Sequence, residues 1–242
     1  PQQEHRRAGR QCRQHPAVPP RPPTELIGDP HPARSTDLRA ALCNAALGEN
    51  AMLRKAWPGV VEGATLIGSK QVQGRCTMAG NLCNASPAGD AVPALVAAGA
   101  KAVIQGPKGK RKLAIRDVPA GPGRTTLKKG EIITAIELPK REPRSADAYL
   151  RFIPRTEMDI AVVSAAVNLT LDAKGVIKKA AVALGAVAPT VLDVPAAIGS
   201  GDNFVVTWAS YNQEASTASS YGIFSQILGT PGSITRSDAP EL

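Results

Sequence analysis

The 242-residue chain has room for one large domain or two small ones, with a core that needs no disulfide or metal to hold it. Hydrophobic residues at 43% and charged residues at 20% are ordinary globular usage, which excludes disorder throughout. A net charge of +9 raises nucleic-acid binding, yet aromatics are only 3% and five of the eight (Phe204, Trp208, Tyr211, Tyr221 and Phe224) crowd near the end, so the middle holds no aromatic stacking platform.

In chain order, a head over residues 1–36 mixes Arg, Gln and many prolines without helical or strand period, and is expected to be disordered. It begins at Pro1 and has no apolar signal core behind its arginines, so the chain reads as a fragment or processed product that is not exported. Leu38, Leu42 and Ala46 recur at helical spacing and predict a helix within residues 37–56, interrupted at Gly48; Trp57-Pro58 opens a segment ending near Ser69. Asp90 followed by an Ala/Val/Leu run up to Gly99 predicts a short buried helix with Asp90 as N-cap and Gly99 near the C-cap. Residues 101–105 and 112–115 flank Pro107-Lys108-Gly109 as a hairpin, 131–138 read as a strand stopped by Pro139, and 148–154 as extended chain. Two Val/Ala-rich segments, 160–171 and 176–187, meet at Asp172-Ala173-Lys174-Gly175, which predicts an antiparallel hairpin. From Gly199 the tail turns rich in Ser, Thr, Asn and aromatics; apart from a strand at 204–208 it proposes no structure and no site.

No apolar run approaches the ~20 residues needed to cross a bilayer, so a soluble protein is expected. Cys12, Cys43, Cys76 and Cys83 form no C-x-x-C pair, and His5, His15 and His31 all lie in the head. Neither a metal site nor a disulfide framework is expected, and a reducing cytoplasm is the simplest compartment. The basic run Lys101, Lys108, Lys110, Arg111, Lys112, Arg116, Arg124, Lys128 and Lys129 reads as the solvated side of hairpins.

The most informative stretch, QVQGRCTMAGNLCNASPAGDAVPAL at residues 71–95, crowds small residues, amides and a hydroxyl ahead of a helix. Gly80, without a Cβ, can take positive φ and bring backbone amides toward an anion; Thr77 and Asn81 add side-chain hydrogen bonds beside it. Asp90 can accept from the hydroxyls of a sugar or ribityl chain while it caps its helix, and Pro93 removes one competing backbone donor. On chemistry alone, a turn at Ala79-Gly80-Asn81 and a plain cap at Asp90 explain the same residues.

The run from Thr77 to Leu95 resembles the T-x-G-G-N-x-x-x-A-S-P-x-x-D-x-x-P-x-L signature of the FAD-binding, or medium, subunits of the molybdenum hydroxylases, the family of xanthine dehydrogenase and aerobic carbon monoxide dehydrogenase. The resemblance continues in order. Ile67-Gly68-Ser69-Lys70 resembles the family's approach to that loop, Gly121-Pro122-Gly123-Arg124-Thr125 and residues 130–139 resemble its G-x-x-x-T and G-E-x-x-x-x-I-x-x-P segments, and residues 149–161 resemble the Y-x-K-x-x-x-R-x-x-x-D-x-A entry to its C-terminal domain.

The resemblance implies an α+β fold: the second subdomain of a two-subdomain, vanillyl-alcohol-oxidase-like FAD-binding fold at residues 37–142, then part of an α/β C-terminal sheet domain at 143–198, with a disordered head and a disordered, atypical tail at 199–242. It implies FAD as cofactor, with Thr77, Ala79, Gly80 and Asn81 at the phosphates, Asn84, Gly89 and Asp90 near the ribityl and adenosine parts, and Ile133 near the flavin rings. Arg151 stands where many members place a Lys close to the isoalloxazine, and Ala79 replaces the first Gly of the signature. Arg155 and Asp159 are expected to pair with each other. No side-chain nucleophile is required. A small [2Fe-2S] subunit and a large molybdopterin subunit are the implied partners, with NAD, a quinone or oxygen as electron acceptor. The family's A-G-G-T or A-G-G-H type loop, which wraps the pyrophosphate, has no counterpart, because the chain contains no Gly-Gly pair. A truncated, cofactor-free fragment and a basic anion- or nucleic-acid-binding module therefore stand as the alternatives.

Overall fold

Thr36 and Leu38 are buried while Asp37 and Arg39 are exposed, the alternation of a half-buried strand. In the computed structural model, which describes residues 35–156, 158–194, 196–198, 204–211, 221–228 and 234–237, this strand is β1 (Thr36–Arg39). The helix expected over 37–56 therefore starts later. Leu38 and Leu42 are four apart, a spacing that both a helix and a strand with its following turn place on one side, and only the pairing of β1 settled which.

Six short helices follow among the described residues: α1 (Asn44–Glu49), α2 (Ala51–Ala56), α3 (Pro58–Thr65), α4 (Lys70–Gln73), α5 (Met78–Asn84) and α6 (Ala91–Ala97). The break expected at Gly48 falls one residue past α1, where Asn50 ends one helix and caps the next by accepting from the Leu53 amide. Pro58 opens α3 at its first position, where the missing N–H costs nothing. α6 is buried along its whole length and Gly99, at φ +70, ends it as expected.

Strands then dominate: β2 (Lys101–Gly106), β3 (Gly109–Ala114), β4 (Pro119–Gly121), β5 (Arg124–Thr125) and β6 (Ile132–Leu138). β1, β6, β2 and β3 form an antiparallel sheet in that order, so β1 closes onto the far end of the same segment, Leu38 opposite Ile136. β7 (Ser145–Phe152), β8 (Val163–Leu171), β9 (Ile177–Gly185) and β10 (Leu192–Val194) form a second antiparallel sheet, in which the predicted 160–171/176–187 hairpin is present. β11 (Ala196–Ile198), β12 (Phe204–Tyr211), β13 (Tyr221–Leu228) and β14 (Ile234–Ser237) make a third; the expected strand at 204–208 lies within β12, and the tail expected to be disordered carries three strands among the described residues. Residues 1–34 of the head lie outside the described residues, and its last residue, Thr36, opens β1.

One apolar core joins the first two sheets. Leu47, Leu53, Val60, Leu82, Leu95, Ile104, Ile136, Leu138 and Tyr149 are fully buried in it, with α6 packed against α3 on one side and β8 and β9 on the other. Among the described residues no helix is long and apolar enough to cross a membrane.

Candidate cofactor site

The signature stretch folds as α5, a six-residue connection and α6. Thr77 sits at the N-cap of α5, and its Oγ1 accepts from the Gly80 amide at 2.9 Å. Gly80 is inside the helix rather than at the positive φ expected for it, since the cap closes a regular first turn around it. What its missing Cβ provides is an open face: a methyl there would meet nothing but Thr77 Oγ1, at 3.2 Å. Ala79, one residue earlier, points the other way into the core and lines a narrow crevice with Leu38, Leu42, Met78 and Ile136.

Asn84 is exposed at the end of α5, and Ala85, at φ 49, turns the chain back. The connection is fixed from both flanks: the Gly123 amide donates to the Ala85 carbonyl and the Ala186 amide to that of Pro87. Asn81 Oδ1 accepts from the Ala91 amide at 3.3 Å, so a residue of α5 satisfies the first turn of α6. Gly89 is buried against that same oxygen, which a Cβ would approach to 3.1 Å. Thr77, Gly80, Asn81 and Asn84 thus follow one another along α5, the first three within a single turn, with Gly89 beneath Asn81.

Asp90 corrects an expectation. It has helical φ and ψ, and its side chain caps nothing. Both carboxylate oxygens turn instead to β7, where the Tyr149 hydroxyl donates to Oδ1 at 2.8 Å and Arg151 Nη1 to Oδ2 at 2.8 Å. Tyr149 is fully buried, and the side chains of Asp90 and Arg151 are 10% and 8% exposed. The buried Ser164 of β8, opposite Arg151 in the sheet, lies beside the same phenol in space kept open by Gly185, whose Cβ would lie 2.5 Å from Ser164 Oγ. Burial pushes the Asp90 carboxyl up, against the pull of Tyr149 and Arg151, and burial likewise raises the Tyr149 phenol, with the charge of Asp90 adding to it. The two motif residues expected nearest the flavin and ribityl chain, 61 positions apart, are therefore in contact. Sequence reasoning quoted Tyr149 only as the first letter of the Y-x-K motif, with no role, and did not single out Ser164. For Tyr149 a signal existed, since it lies two residues before Arg151 and so faces the same side of the strand.

A second buried ion pair lies further along β7. Asp147 Oδ2 accepts from the Val60 amide at 3.1 Å, capping α3 from across the fold. Arg141 Nη2 stands 3.0 Å from Asp147 Oδ1, and its guanidinium lies 4.2 Å over the Trp57 ring. Ile133 is 8% exposed and packed in the main core opposite Ile104, while Arg155 pairs with Asp159 as expected.

These residues fit the polar half of a flavin nucleotide. The exposed Gly80 leaves backbone accessible, Thr77 and Asn81 offer polar atoms beside it, and Asp90 keeps carboxylate lone pairs beyond the two its partners use. Among the described residues no group of His, Cys, Asp and Glu is placed to hold a metal ion.

Residues 30–141 match the family described as FAD binding domain in molybdopterin dehydrogenase, and 148–198 match the CO dehydrogenase flavoprotein C-terminal domain. The xanthine dehydrogenase FAD-binding subunit of Escherichia coli O157:H7 is 28% identical over 143 residues, 59% of this chain and 49% of that one. The carbon monoxide dehydrogenase medium chain of Afipia carboxidovorans is 30% identical over 148 residues, 61% and 51% of the two chains. The structure of reconstituted CO dehydrogenase from Oligotropha carboxidovorans superposes with a TM-score of 0.64 at 29% identity, covering 69% of this chain and 57% of that one. The chain spans about half the length of the curated relatives it matches.

Proposed function

We propose, from the premise that the chain belongs to the family of FAD-binding subunits of molybdopterin dehydrogenases, that it binds FAD along α5 and the Asp90–Arg151 pair and relays electrons. In this reading a small [2Fe-2S] subunit and a large molybdopterin subunit are its partners, electrons arrive from the clusters, and NAD or a quinone accepts them. Bound FAD supplies the redox chemistry, and the protein's part is to hold and orient it. Thr77, Gly80, Asn81 and Asn84 would meet the phosphate and adenosine parts, where the helix offers an open glycine face flanked by amides. Arg151 would set a permanent positive charge near the ring system, which a Lys in its place would carry on a narrower head.

The observation that carries the reading is the meeting of Asp90 and Arg151. Two residues from separate motifs, each expected at the cofactor on sequence grounds alone, share a 2.8 Å contact beside the α5–α6 connection. Titration of the chain with FAD, followed by flavin fluorescence and thermal melting, tests it. Saturable binding that raises the melting temperature is expected. Gly80→Ala should weaken that binding roughly tenfold by filling the open face, without a matching loss of stability, because Ala is intrinsically the better helix former by about 0.5–1 kcal/mol. A folded chain that leaves flavin fluorescence unchanged would overturn the reading in favour of a cofactor-free fragment.

A further inference from the structure

We infer that Tyr149 is a positioning residue for the cofactor, setting the Asp90 carboxylate and, through it, the Arg151 guanidinium. The inference rests on the FAD reading above and adds to it a residue that meets no part of the cofactor itself.

The geometry is specific. A carboxylate can turn about its terminal torsion, and an Arg head can swing on its long stem, so a bare Asp90–Arg151 pair would leave both groups loosely aimed. The phenol removes that freedom. It is fully buried and holds Oδ1 at 2.8 Å, which leaves Oδ2 as the atom that faces Arg151, also at 2.8 Å. The phenol is fixed in turn. Ser164 of β8 lies beside it in space left by Gly185, and the Tyr149 backbone amide lies 3.4 Å from Glu62 Oε2 of α3. Tyr149 and Arg151 both belong to β7, whereas Asp90 opens α6, whose first amide is held by Asn81 of α5. One strand of the C-terminal sheet therefore aims the acidic group at the head of the cofactor loop. A hydroxyl bonded to a carboxylate is worth more than a neutral hydrogen bond, and its loss leaves one buried carboxylate oxygen without a donor.

The test is a cycle of Tyr149→Phe, Asp90→Ala and the double variant in the full chain, each checked for folding by circular dichroism and melting, with FAD affinity and the shape of the visible flavin band as readouts. Tyr149→Phe keeps the ring and its packing. It is expected to weaken FAD roughly tenfold and to broaden the flavin band, and Asp90→Ala to weaken FAD more. In the Asp90→Ala background, Tyr149→Phe should then change affinity less than twofold, because the phenol acts only through the carboxylate. Equal losses in both backgrounds would mean that Tyr149 only packs, and would overturn the inference. So would a Tyr149→Phe chain that binds FAD like the wild type, with the FAD reading intact. A wild-type chain that binds no FAD would sink both together.

Discussion

Two regions of the molecule use the same chemistry, Arg or Lys against a carboxylate, in opposite surroundings. On the outer surface of the fold, its rim, Arg111 holds Glu131 in a two-pronged contact at 2.8 Å, Lys112 pairs with Glu137 and Arg116 with Asp193 of β10, with 36% to 57% of each basic side chain in solvent. At the seam where α3 and α6 meet β7, Asp90 pairs with Arg151 and Asp147 with Arg141, and every partner is 10% exposed or less. Arg111–Glu131 and Lys112–Glu137 decorate a sheet whose register the backbone already fixes, while Arg116–Asp193 spans 77 positions at the surface. Both seam carboxylates tie in elements from across the fold, Asp90 through Tyr149 and Arg151 of β7 and Asp147 through the Val60 amide of α3, although Arg141 itself lies only six positions from Asp147. What differs is therefore the cost of breaking a pair: an exposed partner returns to water, whereas a buried one is stranded.

Asp147→Ala should show the largest effect. It removes the acceptor at the start of α3 and leaves Arg141 buried beside Trp57 without its counter-ion. A loss of about 3–5 kcal/mol in urea unfolding is expected, enough to unfold a marginal domain. A loss within the range of exposed pairs would erase the distinction between the two regions.

Gly185→Ala probes the same seam by crowding rather than by charge. The added methyl would come within 2.5 Å of Ser164 Oγ and 2.7 Å of Pro93 Cγ, so Ser164 must turn away or α6 must shift. Overpacking of this kind costs about 1–3 kcal/mol, measured by the same unfolding curves. A neutral result would show that the space around Ser164 is looser than the contacts imply.

The rim was far more legible in the sequence than the seam. Hairpins announce themselves locally: Pro107-Lys108-Gly109 and the Asp172–Gly175 turn name the loop, and alternation names the strands, so β2 with β3 and β8 with β9 are where turn chemistry puts them. The short helix ending at Gly99 was legible for the same reason. Asp90 was misread because a carboxylate just ahead of an apolar run has two uses, and only its distant partner decides between them. Tyr149 lies 59 positions away, and no periodicity connects the two. Asn81 took over the helix start because the α5–α6 connection folds back on itself, a long-range fact of the same kind. The strand Thr36–Arg39 escaped notice for a third version of this reason, its partner β6 being some hundred residues downstream. At the candidate site, the family motif supplied the residue types in order, while their mutual contacts had to come from the fold.

The smallest effect belongs to the rim, and its sign distinguishes it from the seam. Arg111 and the Lys128 amide hold Glu131 well below the usual carboxylate range, at about 2. A depressed folded value means that the stability it contributes is complete above the unfolded value of about 4.3 and is lost as pH falls from there toward 2. Burial pushes Asp90 and Asp147 the other way, so their contribution is largest in acid and declines as pH rises through their raised values. Melting temperatures of wild type and Glu131→Gln between pH 2 and pH 7 should accordingly differ by a small, steady gap above about pH 5 that narrows on acidification and closes near pH 2. A gap independent of pH would mean that the Arg111 fork does not hold Glu131 in solution. A gap that closes at the ordinary carboxylate value would mean that it holds Glu131 no more tightly than water does. In either case the rim would be reduced to solvated charge, and the ion pairing that shapes this fold would reside in the seam alone.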